Sequence, residues 1–216
     1  MRRTVLACMI PALIPALFAL SAAAQAAEST RTLPSFIAIN AKGAFSMTVE
    51  VGAKAQSVVI SGDDRFVASL KTEVVDNELL ITMPDKNFKT GSTNNPRIVI
   101  TLPALSRVKV EGAGETILNK VNTDRLDIGY LGAGHLMANG KVKYLRLSAK
   151  GVGEVDTKAL RAERVDVNFE GVGEVSVYAT DLLNAVAKGM GSLTYYGKPK
   201  TVNKSVAGIG SVSAGD

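Results

Sequence analysis

The sequence of 216 residues has no tryptophan, one histidine and one cysteine. The cysteine, Cys8, lies in an N-terminal apolar stretch that we expect to be removed, so the mature chain would have no disulfide and no thiolate metal site. The net charge is also small, because 23 basic and 20 acidic residues remain once Arg2 and Arg3 are removed. So small an excess predicts no nucleic-acid partner.

The first 26 residues have the three parts of an export signal. Arg2 and Arg3 precede an apolar stretch over 5–20, and Ala-Gln-Ala at 24–26 is a small-x-small cleavage site. A retained membrane anchor is the alternative, but two prolines interrupt the stretch. We therefore predict a signal peptide over 1–26, no stable membrane span after its removal, and export to the periplasm or cell surface of a bacterium.

A Gly-x-Gly pair returns six times in the second half of the chain. The steps between first glycines are 20, 19, 20, 18 and 19 residues. Apolar residues six, four and two positions before the first glycine, such as Val165, Val167 and Phe169, predict a strand with one buried face. The glycines, to which we assign a structural role, are Gly112, Gly114, Gly132, Gly134, Gly151, Gly153, Gly171, Gly173, Gly189, Gly191, Gly208 and Gly210.

A unit of about 19 residues cannot bury its own apolar face, so we expect successive units to stack as rungs. The predicted fold is all-β, a single-domain parallel β-helix or β-solenoid over 34–216. Residues 105–216 form its six regular rungs, 34–104 form irregular rungs or a cap, and 27–33 form a flexible mature N-terminus. Strands are predicted at 36–40, 46–51, 57–61, 70–75, 78–83 and 97–102, with a hairpin turn at Asp76-Asn77 and an exposed loop over 85–96.

An apolar residue stands between the two glycines of every pair. We expect the inside–outside alternation to slip at the first glycine, as at a β-bulge, and this residue to tighten the core. These residues are Ala113, Ala133, Val152, Val172, Met190 and Ile209.

Parallel stacking would place equivalent residues about 4.8 Å apart in straight columns. One column would alternate in charge, which avoids repulsion. It contains Arg107, Asp127, Arg146, Asp166, Asn184 and Asn203. Asn119 and Asn139 share another column and predict an asparagine ladder.

Several segments resemble the head GIN domain family, whose members are labelled as autotransporter adhesin heads. They are Phe-Ile-Ala-Ile-Asn at 36–40, Asn-Glu-Leu-Leu-Ile at 77–81, Ile-Val-Ile-Thr-Leu-Pro-Ala-Leu at 98–105, the glycine pairs and Tyr-Gly-Lys-Pro at 196–199. The resemblance implies an exported, β-helix-like envelope domain with no established catalytic residues to carry over. The family motif often reads Ser-Gly-Ser-Gly, whereas an apolar residue fills the middle position here.

The column directly after the glycines is the main candidate for ligand binding. It begins with Glu115, His135, Glu154 and Glu174, and stacked carboxylates there could attract a cationic ligand. Solvated side chains that splay apart are the alternative. Tyr178 and Tyr196 share another column that could contact a sugar, although cross-strand packing explains them as well. We predict no bound metal and no cofactor.

No catalytic template is present, since His135 has no cysteine partner and no Gly-x-Ser-x-Gly elbow exists. We therefore predict a non-enzymatic module for adhesion, ligand recognition with a glycan as a candidate ligand, or envelope structure. A polysaccharide lyase or hydrolase is one alternative, because such enzymes can use paired carboxylates. An envelope-stress sensor or assembly partner is another, with an envelope protein or a second copy of the chain pairing at the C-terminal edge.

Overall fold

The structure, a computed structural model, describes residues 27–83 and 96–216. The predicted signal peptide and all but the last residue of the predicted loop over 85–96 lie outside the described residues. The described chain is an all-β single domain with one six-residue helix. Within these ranges, no helix has the length and hydrophobicity that a membrane crossing requires.

Nine strands and one helix follow one another along the chain. They are β1 Ala27–Arg31, β2 Ala38–Ala44, β3 Ser46–Val51, β4 Ser57–Gly62, α1 Asp64–Ser69, β5 Lys71–Val75, β6 Glu78–Thr82, β7 Arg97–Leu102, β8 Arg107–Tyr196 and β9 Thr201–Ala214. The strands predicted at 46–51 and 97–102 are confirmed with these bounds.

Two elements of the N-terminal part differ from the prediction. Where we predict a flexible segment over 27–33, β1 pairs antiparallel with β4, from Ala27 opposite Gly62 to Arg31 opposite Val58. The helix α1 is not predicted at all. It begins after Asp63, whose carboxylate accepts a 2.7 Å hydrogen bond from the backbone N–H of Phe66, and such a cap stabilises a short helix.

All nine strands belong to one sheet that is nearly closed on itself like a barrel. β8 pairs in parallel with β2 and β3 at one end and with β9 at the other, where the pairs run from Leu182 with Thr201 to Tyr195 with Ala214. β5 and β6 form the predicted hairpin, with positive φ at both Asp76 and Asn77.

Equivalent glycines of successive repeats lie directly against one another. A Cβ placed on Gly132 would be 1.8 Å from the carbonyl oxygen of Gly112, and one on Gly151 would be 2.1 Å from that of Gly132. At the two ends of this column, Gly43 pairs with Gly112 and Gly189 pairs with Gly208. The repeats are therefore in register, with backbone packed on backbone at the glycine positions.

The core is built from alternate residues, and the alternation continues through the glycine pairs. Ala149 and Val155 are buried, whereas Val152 is 57% exposed. Residues 149, 151, 153 and 155 therefore point inward, and residues 150, 152 and 154 point outward. The predicted slip at the first glycine is wrong, because the glycines occupy inward positions themselves and leave the residue between them facing solvent.

Asparagine side chains connect neighbouring repeats along two columns. The predicted ladder is confirmed, since Asn139 Nδ2 donates to Asn119 Oδ1 at 2.7 Å and Asn119 Nδ2 donates to Glu50 Oε1 at 2.6 Å. In the other column, Asn184 Nδ2 donates to Asp166 Oδ1 at 2.6 Å and Asn203 Nδ2 donates to Asn184 Oδ1 at 2.9 Å. These bonds stabilise the register between repeats.

Two charged residues of that column, Asp127 and Arg107, form their ion pairs with residues outside the column. The backbone N–H of Asp127 donates to Ser106 at 3.0 Å, so Asp127 does lie beside the start of the preceding repeat. Its carboxylate, however, pairs with Arg125 of the same strand at 3.0 Å, and Arg107 pairs with Glu78 at 3.4 Å. Arg125, two positions from Asp127 on the same face of the strand, therefore competes with the arginines of the neighbouring repeats for the Asp127 carboxylate.

The hydroxyl of Tyr144 donates to the carboxylate of Asp166, and this bond predicts a pH dependence of stability. The hydrogen bond is the main reason that the pKa of Tyr144 is raised, followed by burial. The folded state therefore holds the proton more tightly than the unfolded state. The resulting stabilisation is present below the ordinary tyrosine pKa of about 10 and is lost as the pH rises through the folded-state pKa.

We expect the free energy of unfolding to fall less between about pH 9 and pH 11 in Tyr144→Phe than in the natural chain. Urea unfolding at a series of pH values measures this slope, and Tyr178→Phe is the matched control. An identical alkaline slope in Tyr144→Phe and the natural chain would contradict the prediction.

Candidate functional site

Three columns of outward side chains run along the corner formed by the glycine pairs. The corner column lies between the glycines and contains Ala113, Ala133, Val152, Val172, Met190 and Ile209. The acidic column follows the glycines and contains Glu115, His135, Glu154, Glu174, Ser192 and Ser211. The paired-charge column precedes them and contains Lys42, Glu111, Leu131, Lys150, Glu170, Lys188 and Ala207. Because the repeats are in register, neighbours within a column are about 4.8 Å apart.

The acidic column brings together two residues predicted to be neighbours. His135 Nδ1 lies 3.3 Å from Glu154 Oε2, with both side chains at least one-third exposed. Glu115 and Glu174 are exposed, and neither has an ion-pair partner among the described residues. Glu174 borders a shallow, nearly flat area of surface, together with Ser192 and Ser211. The column is thus an accessible surface with a surplus of negative charge.

Both glutamates of the paired-charge column form ion pairs with lysines of the same column. Lys42 Nζ lies 3.0 Å from Glu111 Oε2, and Lys150 Nζ lies 3.1 Å from Glu170 Oε2. These hydrogen bonds and the lysine charges lower the pKa of both glutamates, and Lys188 adds to the effect on Glu170. The glutamates are therefore ionised at neutral pH, and the exposed Lys188 leaves the column with an excess of positive charge, opposite in sign to the acidic column.

The corner column is exposed and apolar, contrary to its predicted place in the core. Val152, Val172, Met190 and Ile209 are 57%, 45%, 55% and 78% exposed. Simple counting of alternate residues through the glycines, without a slip, would have placed these side chains outside. The sequence therefore contained the signal for this surface.

Tyr178 and Tyr196 lie in adjacent repeats, four residues beyond Glu174 and Ser192 on the same strands. The Tyr178 ring lies against Gly197, the residue after Tyr196, since a Cβ on Gly197 would be 2.7 Å from Tyr178 Cε1. The guanidinium of Arg161 lies 5.5 Å from the centre of the Tyr178 ring, a cation–π contact. Four residues of strand span about 13 Å, so the tyrosines do not form one compact site with the acidic column.

The geometry of the corner suits surface recognition. Within 27–83 and 96–216, no group of three or more histidine, cysteine, aspartate or glutamate side chains could hold a metal ion. The three columns point outward from consecutive strands rather than into a cleft, whereas catalytic groups need to converge on one reacting atom. Such a surface can make many weak contacts with a large partner.

Comparisons with known proteins concern the family and the fold. The family model described as "Putative auto-transporter adhesin, head GIN domain" matches residues 35–199. The crystal structure of "a putative adhesin" from Bacteroides fragilis is 25% identical, with a TM-score of 0.72 and coverage of 89% of this chain and 98% of that one. No curated protein matches the chain.

Two further crystal structures share the fold at lower identity. One, "a putative adhesin" from Parabacteroides merdae, is 20% identical with a TM-score of 0.57, and the match covers 89% of this chain and 97% of that one. The other, a "Putative lipid binding protein" from Parabacteroides distasonis, is 22% identical with a TM-score of 0.52, and the match covers 89% of this chain and 98% of that one.

Proposed function

The chain belongs to the head GIN domain family, and we propose that it is an exported, non-enzymatic β-solenoid that recognises a ligand or partner at the bacterial envelope. The observation that carries this proposal is the set of straight outward columns at the glycine corner, held in register by glycine packed on glycine. A rigid array of repeated side chains presents the same chemistry at regular intervals, which favours multivalent adhesion.

The β-solenoid itself is the finer part of this proposal. The parallel registers of β8 with β2 and of β8 with β9 support it, because each pairs glycine with glycine. We further propose that 1–26 is a signal peptide, that the solenoid spans 34–216, and that the protein acts in the periplasm or on the cell surface. The matching family and the Bacteroides fragilis structure are described as putative adhesins, and the lower-identity Parabacteroides distasonis structure as a putative lipid-binding protein, which together support a binding role.

The test is binding of residues 27–216 to a glycan array and to isolated bacterial envelope fragments. We expect saturable envelope binding that falls at least about tenfold when Glu115, Glu154 and Glu174 are all changed to alanine. The matched control changes three exposed glutamates elsewhere, Glu28, Glu73 and Glu163, and is expected to bind as the natural chain does.

The outcomes distinguish a binding site at the acidic column from binding by the protein elsewhere. Envelope binding that survives the triple change would show that the acidic column is not the binding site, and the proposed binding function would stand. Absence of binding to every glycan and envelope fraction would contradict the proposed function. Release of cleaved products from any glycan of the array would instead indicate an enzyme.

Assembly through the C-terminal edge is a second candidate function, supported by the exposure of β9. This strand of 14 residues pairs with β8 on one side, and nearly all of its residues are exposed. An extended segment of a partner could add to its other side by strand pairing. Lys204 in this strand pairs with the buried Ala185, so it occupies an inward position and opposes pairing with a second copy.

A further inference from the structure

Exposed large hydrophobic side chains are concentrated at the glycine corner. Eight such residues occur in the described part of the chain, and five of them belong to two adjacent columns of the corner. The five are Leu131, Val152, Val172, Met190 and Ile209. Contiguous exposed apolar surface of this kind marks interaction sites, whereas isolated apolar residues on a surface are ordinary.

The size of this apolar stripe limits what can cover it. From Leu131 to Ile209 the stripe crosses five repeats, a length of about 19 Å at 4.8 Å per repeat. An α-helix of about 13 residues has the same length, and its turns, at 5.4 Å, nearly match the spacing of the repeats. Alternate residues of an extended strand are about 6.7 Å apart and match it less well.

The charges on the two sides of the stripe differ. The acidic column carries Glu115, Glu154 and Glu174, of which Glu154 has His135 as its neighbour. The paired-charge column on the other side has its glutamates bonded to Lys42 and Lys150. A complementary partner therefore needs an apolar face with basic residues along one edge, and an anionic lipid surface does not meet this requirement.

A second copy of the chain fits the stripe poorly. A two-fold axis perpendicular to the stack would place acidic column against acidic column. An axis parallel to the stack would place Glu115 opposite Glu111 and Glu174 opposite Glu170, which leaves only Glu154 opposite a lysine. Like charges directly opposite each other are destabilising in both arrangements.

We propose that the stripe is the docking site for a basic amphipathic helix of a partner protein, with its lysines or arginines against Glu115, Glu154 and Glu174. This inference rests on the proposed recognition function and names its partner class. Burial of Val152, Val172 and Met190 supplies affinity, because apolar area is removed from water. The acidic column sets the orientation of the helix and the preference for positive charge.

The probe is a labelled synthetic helix of about 14 residues, with leucines on one face and lysines along one edge, compared with the same peptide carrying glutamates. Fluorescence anisotropy with residues 27–216 should show binding of the lysine peptide that weakens as salt rises. Glu154→Lys with Glu174→Lys should lower affinity for the lysine peptide at least about tenfold and raise affinity for the glutamate peptide by a similar factor.

Two controls make the result specific to the stripe. Glu73→Lys with Glu163→Lys makes the same change in net charge elsewhere and should leave both affinities within about twofold. Val172→Ser with Met190→Ser should weaken binding of both peptides about tenfold. These positions are exposed, so thermal melting should show every variant folded.

If Glu154→Lys with Glu174→Lys still prefers the lysine peptide to the glutamate peptide, the proposal is overturned. Binding of phosphatidylglycerol vesicles in preference to the lysine peptide would overturn it in favour of a membrane, and corner-dependent dimers in sedimentation would do so in favour of a second copy. Envelope binding that persists in Val172→Ser with Met190→Ser would overturn this inference alone and leave the proposed function intact.

Discussion

Gly132→Ala is expected to prevent folding or to lower the free energy of unfolding by more than about 4 kcal/mol. The added Cβ would lie 1.8 Å from the carbonyl oxygen and 2.8 Å from the carbonyl carbon of Gly112. Both are backbone atoms, so no side-chain rotation relieves the contact. The two repeats would have to move apart, which breaks the hydrogen bonds between their strands.

The matched control is Gly129→Ala, three residues earlier on the same strand. A Cβ there would lie 3.5 Å from Lys109 Cγ, which is ordinary van der Waals contact. We expect this variant to fold and to melt within a few degrees of the natural chain. Circular dichroism melting and urea unfolding of both variants measure the difference, and equal stability of the two would show that the repeats are not packed backbone to backbone.

The glycine spacing was sufficient to predict the register of the repeats. Steps of 18 to 20 residues make Gly189 and Gly208 equivalent positions, and the two residues do pair. The same alignment predicted the Asn119–Asn139 ladder and the contact between His135 and Glu154. These features follow from the repeat itself, so a single sequence contains the information.

Orientation at the corner was harder to predict, because glycine allows a strand either to continue or to bulge. We expected a bulge at Gly151 and therefore placed Val152 in the core, whereas the alternation continues and Val152 is exposed. The pairing of Asp127 with Arg125 was also missed. It depends on side-chain conformation within one strand, which a comparison of repeats does not test.

The two ends of the sheet were predicted least well, since they do not follow the repeat. At the N-terminal end, β1 pairs with β4 and Arg31 of β1 donates a hydrogen bond to the carbonyl oxygen of Val67 in α1, so β1 depends on contacts that are far apart in sequence. At the C-terminal end, β9 is in register with β8, but one of its inward positions has a charged side chain where the other repeats have apolar ones. One inward column contains the buried residues Ile128, Leu147, Val167 and Ala185, and Lys204 occupies the next position.

Lys204 therefore stands at a core position of the last strand, where its charge faces the end of the core. Its Nζ lies 3.4 Å from the carbonyl oxygen of Val212, so the side chain extends across this end of the sheet. A second chain stacked on β9 would bury the ammonium group between two apolar layers, at a cost of several kcal/mol. Inward-pointing charge on an edge strand is a known protection against edge-to-edge association.

Lys204→Val is accordingly expected to convert a monomer into an associating protein. In sedimentation velocity, we expect the natural chain to remain monomeric at about 100 µM and more than half of the variant to form larger species. Ser205→Val is the matched control, because it adds the same side chain at the next, outward-facing position and should stay monomeric. If Lys204→Val is also monomeric, the edge is protected by something other than this charge. If both variants associate, added hydrophobicity alone is the cause, and the inward position of Lys204 has no special role.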